Sequence, residues 1–179
     1  MRITEAAVEL HGTVGPARTT VSAVAERAGV QRATVYRHFP SEAELFEACS
    51  LHWVTRNPPP DPGAWAAVRE PGERLRLALA ELYDWYGRTS YMLENTIRDV
   101  TLVDALRPAV EQRAGYLDAA ASILLRGRPE RGAARRRAAA AIGHALAFET
   151  WRSLVQEQGL EPGDAVALMA GAVAAARRH

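Results

Sequence analysis

Apolar positions at the start of the chain recur at helical spacing. Ile3, Ala6, Ala7, Leu10 and Val14 fall at intervals of three and four, which predicts one amphipathic helix. Gly15-Pro16 stops it, because glycine accepts a left-handed cap and proline cannot continue the ladder. Thr19 or Thr20 supplies a hydroxyl to cap a second helix, whose inner face is Val21, Val24, Ala25 and Ala28. Gly29 breaks it, Val30 plugs the turn, and a third short helix runs from about Gln31 to Phe39, ended by Pro40. Ser41-Glu42-Ala43-Glu44 has the form of a capping box, with Ser41 as cap and Glu44 reaching back, for a fourth helix to about Val54.

After Val54 the pattern changes. The stretch from Asn57 to Gly63 is proline-rich and reads as a loop or linker. Beyond it every segment follows helical spacing. Predicted helices run from Glu70 or Pro71 to about Gly87 and from Ser90 to Val100. A third spans Leu102 to Leu125, with Pro108 inside it or at a restart. Two more cover Ala133 to Gln158, and Pro162 to Arg177 after a stop at Gly159. No strand and no internal repeat is expected. The chain therefore reads as all-α, divided into residues 1–54 and 55–179.

A helix, a short glycine turn and a second helix form a helix-turn-helix. On the third helix Val35 and Phe39 point inward, which leaves Gln31, Arg32, Ala33, Thr34, Tyr36, Arg37 and His38 outside. Arginine reads guanine bidentately, and alanine or threonine methyls pack on thymine. Hydroxyl and ring groups commonly hold phosphates. Charge sharpens this picture through its placement. The net charge is only +1, and residues 1–56 hold six arginines and six acids. Yet Arg27 to Ser41 contains three arginines, one histidine and no acid. Such a local window suits phosphate contact better than bulk attraction does.

The run "TTVSAVAERAGVQRATVYRHFPSEAEL" resembles the signature of the TetR family of bacterial transcriptional regulators. The match extends from about Ile3 to Trp53 without a gap. The resemblance implies a homodimer with an N-terminal three-helix DNA-binding domain and a larger helical domain for effector binding and dimerisation. It implies phosphate-contacting or capping roles for Thr19, Thr20, Tyr36 and His38. Gln31, Arg32, Ala33 and Thr34 stand where the family's recognition helix faces bases. His11 departs from the pattern by standing at a usual core Phe, Gln31 stands for a Ser, and Glu42 for a Lys that often meets the DNA backbone. Almost nothing precedes Ile3, so the basic arm that precedes the first helix in many relatives is missing from this sequence, either truly or because its start was taken too late.

In the C-terminal part, Gly163, Ala167, Gly171 and Ala175 make a smooth stripe with Leu168 and Val173 beside it, as a dimer joint would need. A twofold dimer places two recognition helices about 34–36 Å apart, on a near-palindromic double-stranded operator. The candidate effector residues are Tyr86, Asn95, Arg98, Tyr116, Phe148 and Trp151, since aromatic walls with a few polar groups suit a mostly apolar small molecule. For each of them plain core packing is the competing reading.

The function expected is a repressor released by a small-molecule effector. A DNA-binding protein whose large domain only dimerises is the alternative. An enzyme is not expected: there is no P-loop, HExxH, CxxC or G-x-S-x-G, and no cofactor is implied. The five histidines show no i, i+4 pairing, so no metal site is expected. The single cysteine, Cys49, excludes an intramolecular disulfide and fits a reducing compartment, the cytoplasm. No signal peptide or membrane span is expected.

Overall fold

The computed structural model describes residues 2–176, and those residues form helices and connecting turns with no strand among them. The helices are α1 (Arg2–Thr13), α2 (Val21–Ala28), α3 (Arg32–His38), α4 (Glu42–Arg56), α5 (Pro62–Trp65) and α6 (Pro71–Asp99). They continue with α7 (Arg107–Leu124), α8 (Gly132–Leu146), α9 (Phe148–Trp151, prolonged by a π-helical stretch Arg152–Glu157) and α10 (Pro162–Ala175). The chain groups into two compact units. The first comprises residues to Pro58 together with Thr89–Arg113, the second Pro59–Arg88 together with the chain from Ala114 onward.

The first unit is built on α1 to α4. Ile3, Ala6 and Ala7 of α1 meet Val24, Ala25 and Ala28 of α2, Val35 of α3, and Leu45 and Cys49 of α4. The alanines at the contacts bring the helix axes close. His11 is buried in this unit, 6% exposed, with its ring stacked on Phe46 at 4.7 Å between centroids. Burial lowers its pKa to about 4. Ser41 caps α4 by accepting from the Glu44 N–H at 3.3 Å, and its hydroxyl donates to the Glu44 carboxylate at 2.8 Å. The capping box thus closes side chain to side chain, rather than through the Ser41 backbone amide.

The second unit has its core on Leu75, Leu79 and Leu82 of α6, Leu124 of α7, Ile142 and Leu146 of α8, and Trp65 and Phe148. Trp65 donates its indole N–H to Glu81 at 2.7 Å. Arg74 is buried as a cation, and its guanidinium donates to the carbonyls of Val68, Ile123 and Arg126 at 2.8–3.0 Å. Two of those carbonyls lie at the end of α7, where the helix dipole is negative.

Three boundaries differ from the periodicity. The helices expected at 70–87 and 90–100 are one continuous helix, Pro71–Asp99. Gly87 is tolerated inside it at a cost of about 1 kcal/mol, which packing on both sides outweighs. Pro108 sits second in α7, where its missing N–H costs nothing, so the helix restarts there. The helix expected at 133–158 is interrupted at Ala147, which is extended (φ −68°, ψ 138°). The interruption frees the carbonyls of Ala145 and Leu146 for two buried tyrosine hydroxyls. The last helix ends at Ala175 in α10, and Arg177 lies outside the described residues.

Candidate functional site

The helix-turn-helix is set by its caps. Thr20 accepts from the Ala23 N–H at 3.1 Å and so starts α2, while the Thr19 hydroxyl donates to the Gly15 carbonyl at 2.8 Å. Gly29 ends α2 in the left-handed region, φ +64°. The amides of Gly29 and Val30 then bond back to Glu26 and Ala25 at 3.0 and 2.9 Å. This Schellman-type closure turns the chain sharply into α3.

On α3 only Val35 is fully buried. Gln31, Arg32, Ala33, Tyr36, Arg37 and His38 are exposed and Thr34 is half-buried, so the residues of this helix expected to face DNA, Thr34 in part, are open to solvent. Gln31 occupies the N-cap without a side-chain cap bond, which leaves its amide available. Neither Arg32 nor Arg37 is paired with a carboxylate among the described residues. Arg32 instead donates to the Tyr36 hydroxyl at 3.0 Å, with its guanidinium carbon 5.4 Å from the ring centroid. Tyr36 therefore holds the arginine in one orientation, a contact that i, i+4 spacing could have suggested.

Asn95 and Arg98, expected in an effector site, lie in the first unit and bind the turn after α1. The Asn95 amide donates to the carbonyls of His11 and Gly12 at 3.0 and 2.9 Å. These are orphan carbonyls at the end of α1, so a distant side chain serves as its C-cap. Arg98 donates to Asn95 Oδ1 at 2.8 Å and to the Val14 carbonyl at 3.3 Å. Its guanidinium pairs with Asp99, whose other contact is the Ala17 N–H at 2.9 Å. The Arg98 hydrogen bond and the Ala17 amide hold the Asp99 carboxyl below its usual range. Gly15 sits inside this latch at φ +94°, and a Cβ there would lie 2.0 Å from Arg98 Nη2 and 2.6 Å from Asp99 Oδ2. Sequence reasoning missed Asp99 altogether. The available signal was a run of polar residues, Asn95, Arg98 and Asp99, at i, i+3 and i+4 on a helix otherwise facing a core.

Tyr86, Phe148 and Trp151 do come together. Tyr86 meets Phe148 edge-on at 5.3 Å, and Phe148 meets Trp151 at 5.3 Å. All three are buried. The Tyr86 hydroxyl donates to Leu146 O at 2.7 Å and the Tyr83 hydroxyl to Ala145 O at 2.9 Å. The polar handle expected to orient a ligand is thus engaged by backbone. Tyr116 donates to Pro60 O at 3.0 Å in the same unit, and burial raises its pKa. In α10, Gly163, Ala167, Gly171 and Ala175 are exposed and Leu168 is 49% exposed. Val173, expected beside this stripe, faces the unit's own core instead, at 1% exposed.

Among the described residues no three His, Cys, Asp or Glu side chains cluster as metal ligands would. Cys49 is buried and its thiol pKa is pushed up to about 12, which makes it a packing group and not a nucleophile. No helix among the described residues is long and apolar enough to cross a membrane.

Residues 3–49 match the family described as bacterial regulatory proteins, tetR family. A nucleoid occlusion factor, SlmA, of Marinomonas sp. (strain MWYL1) is 29% identical over 52% of this chain, and the match spans 63% of that relative's length. Among solved structures, a TetR-like transcriptional regulator from Rhodococcus sp. RHA1 superposes with a TM-score of 0.69 at 20% identity, covering 97% of this chain and 92% of the other. The transcriptional regulator FadR of Bacillus subtilis, solved with stearoyl-CoA, gives 0.59 at 22% identity over 99% and 97% of the two chains. These likenesses extend the shared fold beyond the matched N-terminal segment to nearly the whole chain.

Proposed function

We propose that this chain, a TetR-family protein by its N-terminal domain, is a homodimeric repressor that a small-molecule effector releases from a near-palindromic operator. The observation that carries DNA reading is the outer face of α3, where seven polar or small residues surround a single buried anchor, Val35. Residues 1–54 act as the reader and 55–179 as the effector and dimer part. The exposed stripe Gly163, Ala167, Gly171 and Ala175 supports close approach of a second copy's helix. Nothing lies within 4 Å of a Cβ built on Gly163 or Gly171.

Release requires that the two parts communicate. One continuous helix, α6, carries Tyr83 and Tyr86 at its middle and the Asn95–Arg98–Asp99 latch at its end. An effector that shifts α6 would pull the turn between α1 and α2 and so re-aim α3. A coupling of about 1–3 kcal/mol, 5–150-fold, suffices to empty the operator. By reciprocity, an effector must bind free protein more tightly than operator-bound protein. A screen that scores thermal shift and operator release on the same compounds tests this. A compound that binds both forms equally is no effector of this mechanism.

The engaged hydroxyls of Tyr83 and Tyr86 favour a second reading, in which the second unit only dimerises and DNA binding needs no effector. An effector of mostly apolar character must then fail to emerge from a screen that spans acyl, aromatic and terpenoid compounds. One compound that releases operator at stoichiometric occupancy decides for the first reading.

The Arg32–Tyr36 contact yields a prediction that separates positioning from phosphate anchoring. Arg32→Ala should cost about 1–3 kcal/mol at the selected operator and relax one base position in each half-site. If Tyr36 acts by orienting Arg32, Tyr36→Phe should relax that same position in part. If it acts as a phosphate anchor, as the family resemblance implies, all sites should weaken alike. Competition binding against single-base operator variants distinguishes the two.

A further inference from the structure

We propose that the cleft between the end of α7 and the start of α8 binds a small phosphorylated ligand, at a site separate from the DNA-reading face. The cleft has a volume of about 420 Å³ and is lined by Arg126, Arg128, Arg131 and Arg135 with Leu125 and Pro129. That volume falls in the range of small-molecule sites. Four of its seven lining residues are arginines, so an anionic group on the occupant would be favoured.

The frame of the cleft is fixed by arginines that are already engaged. Buried Arg74 donates to the carbonyls of Ile123 and Arg126. Buried Arg128 donates to Leu124 O at 3.0 Å and Pro71 O at 3.3 Å. Arg131 Nη1 bonds the carbonyls of residues 128, 129 and 130 at 2.9–3.2 Å. Arg126 and Arg135 are different. Both are exposed, and neither forms an ion pair or side-chain hydrogen bond among the described residues.

Among the described residues, seven arginines outside this stretch pair with carboxylates, among them Arg27 with Glu9, Arg76 with Glu73 and Arg88 with Asp84, while others, such as Arg32 and Arg37, do not. Residues 126–137 hold six arginines and one acid, Glu130. They also stand at the beginning of α8, a 15-residue helix whose N-cap, Arg131, has no side-chain cap bond and whose first turn has no acid. Cations at that end oppose the helix dipole; the buried Glu130, just before the N-cap, is the one acid in the stretch to offset them, and a bound anion would offset them further. A phosphate takes bidentate hydrogen bonds from guanidinium groups and accepts from free helix N–H groups at once. The free head groups of Arg126 and Arg135 are the ones that would close on it.

The test is calorimetric titration of the full chain with sodium pyrophosphate, inorganic phosphate and ADP, each against sodium chloride at matched ionic strength. The expected result is saturable binding of pyrophosphate, one per chain. The double variant Arg126→Ala/Arg135→Ala should lose at least about tenfold in affinity, as two lost charge-assisted hydrogen bonds require. Its circular dichroism and operator affinity should match the parent. A reader variant, Arg37→Ala, should bind pyrophosphate like the parent, which assigns the signal to the cleft. Tighter binding of ADP would identify a nucleotide as the occupant, and equal binding a phosphate group alone. Heats no greater than those of chloride, or undiminished binding in the double variant, overturn the proposal.

Discussion

Asp99→Ala will destabilise the first unit by about 2–3 kcal/mol, one of the larger single-site effects expected in this chain. Its carboxylate side chain is 3% exposed and answers two donors at once, the Arg98 guanidinium and the Ala17 amide. Removing it takes the acceptor from the part-buried Ala17 amide, at about 1–3 kcal/mol, and loosens Arg98 from the Val14 carbonyl. Arg98 itself is half exposed, so water recovers part of its loss, which holds the figure below that of a fully buried pair. Gly15→Ala attacks the same latch from the other side. It forces a Cβ into a left-handed residue and against Arg98 and Asp99, and so should cost at least as much. Urea unfolding of both variants, with amide exchange at Ala17, checks this. Protection of Ala17 should collapse in Asp99→Ala. If it persists while stability is unchanged, the latch is ornamental.

His11→Phe will act in the opposite direction, and mainly in acid. The folded pKa of His11 is lowered from 6.5 to about 4 by burial. Above pH 6.5 the imidazole is neutral folded and unfolded, and the group contributes no pH dependence. Below 6.5 the unfolded chain binds the proton more readily, so stability falls as pH falls, until the folded form also protonates near 4. The full loss is about 3 kcal/mol over that window. Phenylalanine keeps the stack on Phe46 and removes the titration. At pH 5 the variant should therefore gain about 2 kcal/mol on the parent relative to their difference at pH 8. Parallel denaturation profiles from pH 8 to pH 5 would show that His11 is not buried as the structure places it.

The reader was legible because its elements are local. Thr20, Gly29, Ser41 and Val35 each act within a few residues, and caps and periodicity record such acts directly in the sequence. His11 was legible for a different reason, since the family resemblance puts a core Phe at its position. What failed to show were partners 60–85 residues apart. Tyr86 was read as an effector residue with core packing as the competing reading, and spacing could not choose. Its choice, the Leu146 carbonyl, exists only because the helix breaks at Ala147. An alanine carries no local signal for that break, which tertiary packing imposes. Asn95 and Arg98 looked like ligand groups because polar residues at a helix end have no obvious local use. Their use lies at residues 11–17, far along the chain.

In the proposed function α3 reads a specific, twofold-symmetric DNA sequence. The most direct measurement is selection of binding sites from a random duplex library by the full chain, repeated with Arg32→Ala. The enriched sequences should form an inverted repeat whose half-sites are centred about one helical turn apart, or a multiple of it, with one position per half-site losing its preference in Arg32→Ala. Enrichment of no motif, or of one motif unchanged by that substitution, would contradict it.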